Sequence, residues 1–329
     1  MRLTRMACRP GSLALVLLTL VVLISTPGRA ASPSAKELLA SGRVDELILV
    51  LRQQISRAPN DAEAYNLLCR AYFMAEEFDH GIPECERAAA LAPQNSVFHL
   101  WLGRSYGEKA DRSNFMSAAG LARKARTAFE RAVELDPSNV EARVDLGEFY
   151  AEAPGIVGGG KDKAHRQADA LMALNPVMGH WVQARIAEKE KEPAVAEREY
   201  RAEIAASHSA VRGWLDLGNF LKYARRYSEM TEALTKMESA PLDHPEALMH
   251  GGTLLLRAER EYPLGVRLLR RYFAIGTVEE GPAFKAHAVL GELLEKLGDR
   301  QAAIQEFRAA LALFQDYPRA KEDLKRLER

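Results

Sequence analysis

The chain has 329 residues, of which 47% are hydrophobic, 27% are charged and 7% are aromatic. This apolar share is enough for a sizeable core and too high for a disordered chain. The 45 basic and 45 acidic residues cancel. Because binding to a nucleic-acid backbone requires a basic excess, we expect no nucleic-acid partner.

The first thirty residues are expected to be a secretory signal and not part of the fold. Arginines at positions 2, 5 and 9 precede an apolar run at residues 13–24, and the small residues Gly28 and Ala30 follow it. The run is shorter than the roughly 20 residues of a membrane span, which favours a cleaved signal peptide. The protein is therefore predicted to be exported, to the periplasm or as a secreted protein. The alternative is an uncleaved anchor in the inner membrane.

After this segment the sequence repeats with a period of 34 residues. Pro59 and Pro93 are 34 residues apart, Pro137 follows after 44 and Pro176 after 39. The longer intervals are one period plus insertions of ten and five residues. A proline ends a helix and sets the turn into the next unit. The period predicts an all-α solenoid of stacked helix–turn–helix units.

Within a unit, apolar residues mark one face of each helix. From the anchor residue Tyr65 they lie at +3, +4 and +7, and then at +16, +20 and +23. Large and small residues alternate at these positions, which allows two helices to pack closely. The same positions return from the anchors His99, Arg143, Trp214, Leu248 and His287. Residues 181–208 match the pattern poorly.

This pattern resembles the tetratricopeptide repeat over most of residues 34–329. The resemblance is carried by Trp214-x-x-Leu217-Gly218, Ala125-x-x-x-Phe129-x-x-Ala132 and Leu135-Asp136-Pro137, and it is best in the unit with Leu290-Gly291, Ala303, Phe307 and Ala310. It implies a right-handed superhelix that binds proteins or peptides and is not an enzyme. Exported bacterial repeat proteins with no assigned role are similar.

The sequence therefore divides into three parts: a signal at 1–30, an array of about seven to eight units at 31–318, and a polar capping helix at 319–329. Insertions are expected near residues 107–124 and 153–161. The first insertion either lengthens both helices or forms a loop. Its Phe115 and Met116 could also contact a partner as an apolar finger.

The segment from Gly155 to Lys161 fits Gly-x4-Gly-Lys, which is most of a phosphate-binding loop. However, Asp162 stands where a metal-binding Ser or Thr is required, and the segment follows a predicted helix and not a strand. We expect a glycine-rich turn, with binding of an anion or carboxylate by free amides as the alternative. No His/Cys spacing suits zinc and no nucleophile elbow is present. No catalytic residue, metal or cofactor is predicted, and a nucleotide-dependent enzyme is the least favoured hypothesis.

Cys69 and Cys85 are predicted to face each other across one helical hairpin. They are either two small buried thiols or a disulfide, which export would allow to persist. Closing a loop of about 15 residues would stabilise the fold by ~3 kcal/mol.

The resemblance implies that the first helix of each unit lines a concave groove, with positions −2, +1, +5 and +8 from each anchor facing a partner. These positions supply the predicted partner-binding residues, which are Asn66, Arg70, Phe73, Leu100, Arg104, Val144, Glu148, Leu215, Asn219 and Lys222. Arg70 and Arg104 lie on adjacent units and are predicted to share one anionic group of a partner. A merely solvated helix face is the alternative.

The leading hypothesis is an exported, non-enzymatic scaffold that binds a protein or peptide in this groove. The alternative is an accessory subunit that binds a small ligand or glycan, or that helps an enzyme in trans.

Overall fold

The computed structural model describes residues 33–329, and the predicted signal at 1–30 lies outside them. In the described residues the chain forms seventeen α-helices and no strand, which confirms the all-α prediction. The helices are α1 Ala35–Ala40, α2 Val44–Arg57, α3 Ala62–Met74, α4 Phe78–Leu91, α5 Ser96–Asp111, α6 Phe115–Leu135, α7 Val140–Glu152, α8 Lys161–Leu174, α9 Pro176–Glu190, α10 Pro193–Ala206, α11 Val211–Tyr223, α12 Tyr227–Lys236, α13 Glu246–Ala258, α14 Tyr262–Ile275, α15 Ala283–Lys296, α16 Arg300–Leu313 and α17 Pro318–Leu327. Consecutive helices pair as hairpins from α1–α2 to α15–α16, and α17 packs against α16.

The repeated prolines lie where the pattern predicts helix ends. Pro59, Pro93 and Pro137 each follow the last residue of a helix by two positions, after α2, α4 and α6. The next helix is then started by a polar cap, since Asp61 and Asn139 each accept a hydrogen bond from a backbone N–H in the following turn. A capping side chain of this kind satisfies a backbone donor that the helix leaves unpaired. The turns between units are therefore encoded locally.

Glycine and phenylalanine interlock within the hairpins. A Cβ atom at Gly103 would lie 2.5 Å from the ring of Phe129, and one at Gly291 would lie 2.8 Å from the ring of Phe307. These pairs occupy positions +4 and +20 of their units. The predicted large–small packing of α5 with α6 and of α15 with α16 is therefore confirmed.

The first insertion lengthens both helices of its hairpin. Helix α5 runs on to Asp111 and α6 begins at Phe115, so the hairpin is closed by a short turn and not by a long loop. Phe115 and Met116, in the first turn of α6, are 86% and 88% exposed. The second insertion contains a 3₁₀ turn at Gly155–Val157 between α7 and α8.

Residues 181–208, which match the repeat poorly, nevertheless complete the hairpin of α9 and α10. Counted from His180, positions +4, +16 and +20 are Ala184, Ala196 and Tyr200, and all three are buried. The unit departs from the pattern at +23, where Glu203 stands.

The two ends of the described chain meet. The backbone N–H of Gln315 donates to Asp45 Oδ2 over 2.8 Å, across 270 residues of sequence. A Cβ atom on Gly42 would lie 2.9 Å from the backbone nitrogen of Ala283. One continuous apolar cluster includes Leu38 in α1 and Phe284 in α15. The array therefore curves until its first helices pack against its last ones, which the repeat pattern did not predict.

Candidate functional site

The first helices of the hairpins line the inner side of the array. Helix α3 contacts α5, α5 contacts α7, α7 contacts α9, α11 contacts α13 and α13 contacts α15. Each of these helices is the first of its hairpin, as the repeat pattern requires. We refer to the residues at positions −2, +1, +2, +5 and +8 from the anchors of these helices as the inner face.

Four of the ten predicted partner-binding residues are buried and do not face a partner in this structure. Asn66, Leu100, Val144 and Leu215 are between 1% and 9% exposed. All four occupy position +1, which is buried where neighbouring inner helices contact each other. Their assignment as groove-lining residues is corrected accordingly.

The other six predicted residues are half-buried on the inner helices. They are Arg70, Phe73, Arg104, Glu148, Asn219 and Lys222. They lie on α3, α5, α7 and α11, so no single short segment carries them. Their role in binding a partner stays a prediction.

Arg70 and Arg104 meet at one aromatic ring. The guanidinium carbon of each lies 4.8 Å from the ring centroid of Trp101. The edge of Phe73 packs against the same indole, with ring centroids 5.4 Å apart. Cation–π contacts of this kind fix both arginines on adjacent repeats. The two side chains therefore lie side by side, and that they share one anionic group of a partner stays a prediction.

Each of these arginines already has a carboxylate from its own chain. Arg104 Nε donates to Asp145 over 2.6 Å and its Nη2 donates to Glu141 over 3.0 Å. Arg70 Nε donates to Glu279 Oε1 over 2.8 Å, and its Nη2 bonds the second oxygen of that carboxylate. A partner's anion would therefore replace an existing ion pair and not meet two unpaired cations.

A second tryptophan repeats the arrangement on the following units. The guanidinium groups of Arg185 and Arg212 lie 5.9 and 5.4 Å from the ring centroid of Trp181. Arg185 also donates to Glu152 over 2.8 Å and to Glu148 over 3.3 Å. Glu148 is one of the predicted partner-binding residues. The inner face is thus a ladder of arginines stacked on tryptophan and paired with acids.

Position +2 carries much of this ladder, and sequence reasoning missed it. Trp101 and Asp145 stand there in their units, and Asp216 stands there in the unit of Trp214. Burial raises the pKa of Asp145, although the neighbouring Arg104 counteracts this. The sequence could have revealed this position, since polar or aromatic residues recur at +2, on the same helix face as the predicted positions +1 and +5.

The deepest acid of the site is Glu203. Its side chain is completely buried, and neither carboxylate oxygen has a hydrogen-bond partner within residues 33–329. Burial and the nearby Asp216 raise its pKa well above 4.5, while Arg212 acts in the opposite direction. Other units place alanine at this position, for example Ala88 and Ala132. A carboxyl that holds its proton is the state that this environment favours.

Cys69 and Cys85 lie behind the inner face. Both are fully buried, and their Cα atoms are 5.2 Å apart. This separation lies within the range that a disulfide requires. The bridge stays a prediction that the geometry permits.

The glycine-rich segment lies between two helices, α7 and α8, and not after a strand. Lys161, which would be the phosphate-binding lysine, forms an ion pair of 2.9 Å with Glu190. This context favours the predicted glycine-rich turn over a nucleotide site. Among the described residues, no three or more His, Cys, Asp or Glu side chains are grouped to hold a metal ion. Likewise, none of the helices at 33–329 has the length and apolar character to cross a membrane.

Sequence profiles of the tetratricopeptide repeat family match the chain twice, at residues 117–154 and 284–317. Two segments of the chain are therefore similar to the tetratricopeptide repeat. The second match covers the unit of His287, which fits the repeat best by sequence. The first covers most of α6 and all of α7.

Solved structures of similar fold include yeast Tom70, with 14% identity, a TM-score of 0.53, and coverage of 92% of this chain and 65% of that one. A tetratricopeptide repeat protein of Thermus thermophilus has 17% identity and a TM-score of 0.48, over 57% of this chain and 95% of that one. One from Parabacteroides merdae has 12% identity and a TM-score of 0.44, over 90% and 99%. The likeness to Tom70 shows a shared helical solenoid, and this chain spans just under two thirds of its length. A search of curated proteins found no match.

Proposed function

We propose that this protein is a non-enzymatic scaffold that acts outside the cytoplasm and binds a protein partner through its inner face. Tetratricopeptide repeats suggest a protein–protein interaction scaffold. The observation that carries the proposal is the inner ladder itself, in which Trp101 and Trp181 each hold two arginines on consecutive repeats. Tryptophan and arginine are the residues that most often dominate protein interfaces.

The place of action is supported by the sequence of the first thirty residues. A basic start, a short apolar run and small residues before Ala30 are typical of a cleaved secretory signal. The facing Cys69 and Cys85 are consistent with an oxidising compartment. The proposed location is therefore the periplasm or the extracellular medium.

The test is affinity capture with residues 31–329 from an envelope extract, followed by mass spectrometry. Arg104→Glu removes an inner-face cation, and Arg131→Glu makes the same change on the outer helix α6. We expect a partner that is enriched on the wild-type protein, retained by the outer variant and lost by the inner one. Equal loss with both variants would contradict binding through the inner face.

Because Arg104 is largely enclosed by its acids, a second inner-face variant is needed. Lys222 is half-buried on α11, and in the described part of the chain no carboxylate lies within ion-pair distance of its Nζ atom. Lys222→Glu therefore reverses an inner-face charge without breaking an ion pair. Retention of every captured protein by Lys222→Glu and Arg104→Glu would reject the inner face as the interface.

A further inference from the structure

The loop between α14 and α15, residues 276–282, reaches from the last repeats to the first. Its Glu279 is bonded by both Nε and Nη2 of Arg70, across 209 residues of sequence. The side chains of Arg70 and Glu279 are 21% and 11% exposed, so the pair is largely shielded from water. Bidentate arginine–carboxylate pairing adds specific geometry to the charge attraction. The loop thus fills the position on α3 where the sequence predicts that a partner's anion binds.

The loop is held in the shape that presents Glu279. The hydroxyl of the buried Tyr272 donates to the carbonyl oxygen of Gly281 and accepts the N–H of Val278 over 2.9 Å. Gly276 begins the loop at a φ of 110°, a backbone conformation that favours glycine. Because both ends of the segment are fixed on one side chain, Glu279 approaches Arg70 with little conformational freedom left to lose.

The receiving surface is built by the first repeats alone. Arg70 lies over Trp101, and Phe73 and Arg104 also contact that indole. These residues belong to α3 and α5, and none of them belongs to the loop. An arginine stacked on an aromatic ring and aimed at a carboxylate is a ready receptor for an acidic segment of any chain that reaches it.

A second ion pair joins the two ends. Glu76 of the α3–α4 turn pairs with Lys285 of α15 over 2.8 Å. Arrangements of this kind weaken with salt and exchange with competing charges.

We propose that Glu279 is an internal ligand that occupies a binding site for acidic peptide segments, formed by Arg70, Phe73, Trp101 and Arg104. A partner segment that carries glutamate or aspartate replaces Glu279 and displaces the α14–α15 loop. This inference rests on the proposed scaffold function and names the chemistry of the partner. The intramolecular competitor lowers the apparent affinity of the unaltered protein, because only the fraction with the loop displaced is competent to bind.

The test uses a fluorescent synthetic peptide with the loop's own sequence, residues 274–283, and purified protein of residues 31–329. Glu279→Gln empties the site, and Glu280→Gln is the matched control because it removes the same charge from the adjacent position. We expect Glu279→Gln to bind the peptide at least about tenfold more tightly than the wild type or Glu280→Gln. Adding Arg70→Gln to that variant should abolish binding.

Equal affinity of the wild type and Glu279→Gln would overturn the proposal. Undiminished binding by the Arg70→Gln, Glu279→Gln double variant would do so as well, as would equal binding of a probe with glutamine in place of its Glu279. If Glu279→Gln does not fold, amide hydrogen exchange of the wild-type protein tests instead whether the peptide displaces the loop. Saturation with the peptide must then expose the amide of Val278, and unchanged protection overturns the site.

The peptide assay uses only purified protein and peptide, whereas the affinity capture uses an extract. The two experiments can therefore fail independently. Peptide binding without any captured protein would support the site and contradict the scaffold function. A captured partner without peptide binding would keep the scaffold and overturn the site.

Discussion

Glu203 stands at a packing position that other repeats give to small or apolar residues, such as Ala132 and Met237. It is completely buried with both oxygens unpaired, and the groups around it are Asp216, Arg212 and Asp243. Since two of these are acids, one arginine does not offset the cost of a buried carboxylate. The folded protein therefore binds a proton at Glu203 more tightly than the unfolded chain does.

The pH dependence follows from this difference. Because the pKa of Glu203 is raised above 4.5 in the fold, its contribution to stability is complete below about pH 4.5 and falls as the pH rises toward the folded value. Glu203→Gln, which mimics the protonated acid, should raise the melting temperature at pH 8 by about 2–4 °C. At pH 5 the gain should be much smaller.

Thermal unfolding at both pH values checks this prediction, with Glu232→Gln on the exposed side of α12 as the control. A gain that is equal at pH 5 and pH 8, or a loss at pH 8, would show that Glu203 is not a proton-holding group.

At the residue scale, the repeat pattern predicts which residues lie next to each other on adjacent units, but not how deeply each is buried. It places Arg70 and Arg104 on adjacent units, and they do meet, on Trp101. It does not predict that Asn66 and Leu100 are buried, because the curvature that buries position +1 is a property of many stacked units. It also could not reveal Glu203, since +23 is by rule a position for small or apolar residues.

At the scale of helices, local chemistry was sufficient for most of the prediction. Prolines fix the helix ends, asparagine and aspartate caps fix several starts, and the glycine–phenylalanine pairs fix the hairpin packing. Helix α7, Val140–Glu152, lies where the sequence predicts a helix before the glycine-rich segment. For the first insertion, the sequence allowed either two longer helices or a loop. The structure shows longer α5 and α6 helices. This agrees with residues 107–124, which contain no proline that would end a helix.

Because glycine interlocks with phenylalanine at some positions and not at others, a glycine-to-alanine substitution should change the free energy of unfolding in opposite directions at Gly291 and Gly120. Gly291→Ala places a Cβ atom 2.8 Å from Phe307, and such overpacking should lower the free energy of unfolding by about 1–3 kcal/mol. Gly120→Ala in α6 meets no atom within 4 Å. It should raise that free energy by about 0.5–1 kcal/mol, because alanine favours helix.

Urea denaturation of both variants and the wild type provides the comparison. A midpoint for Gly291→Ala at or above the wild-type value would mean that Gly291 is not a close-packing position.

At the scale of the whole molecule, the meeting of the two ends is the feature that the sequence did not predict. Its contacts join residues 209 to 270 positions apart, far beyond one repeat period. Small rotations between neighbouring hairpins add up over the array, and no single motif encodes their sum. The closure has a functional consequence, since it gives Arg70 a carboxylate from its own chain.

The most direct test of this closed inner face is zero-length cross-linking with a carbodiimide, which joins a lysine to a carboxylate only when they touch. The account predicts an amide bond between Lys285 and Glu76, whose atoms lie 2.8 Å apart, and its loss in Lys285→Arg. The pair of Lys161 and Glu190, at 2.9 Å within neighbouring repeats, is the internal standard. A cross-link at the standard without one between Lys285 and Glu76 would contradict the closed array.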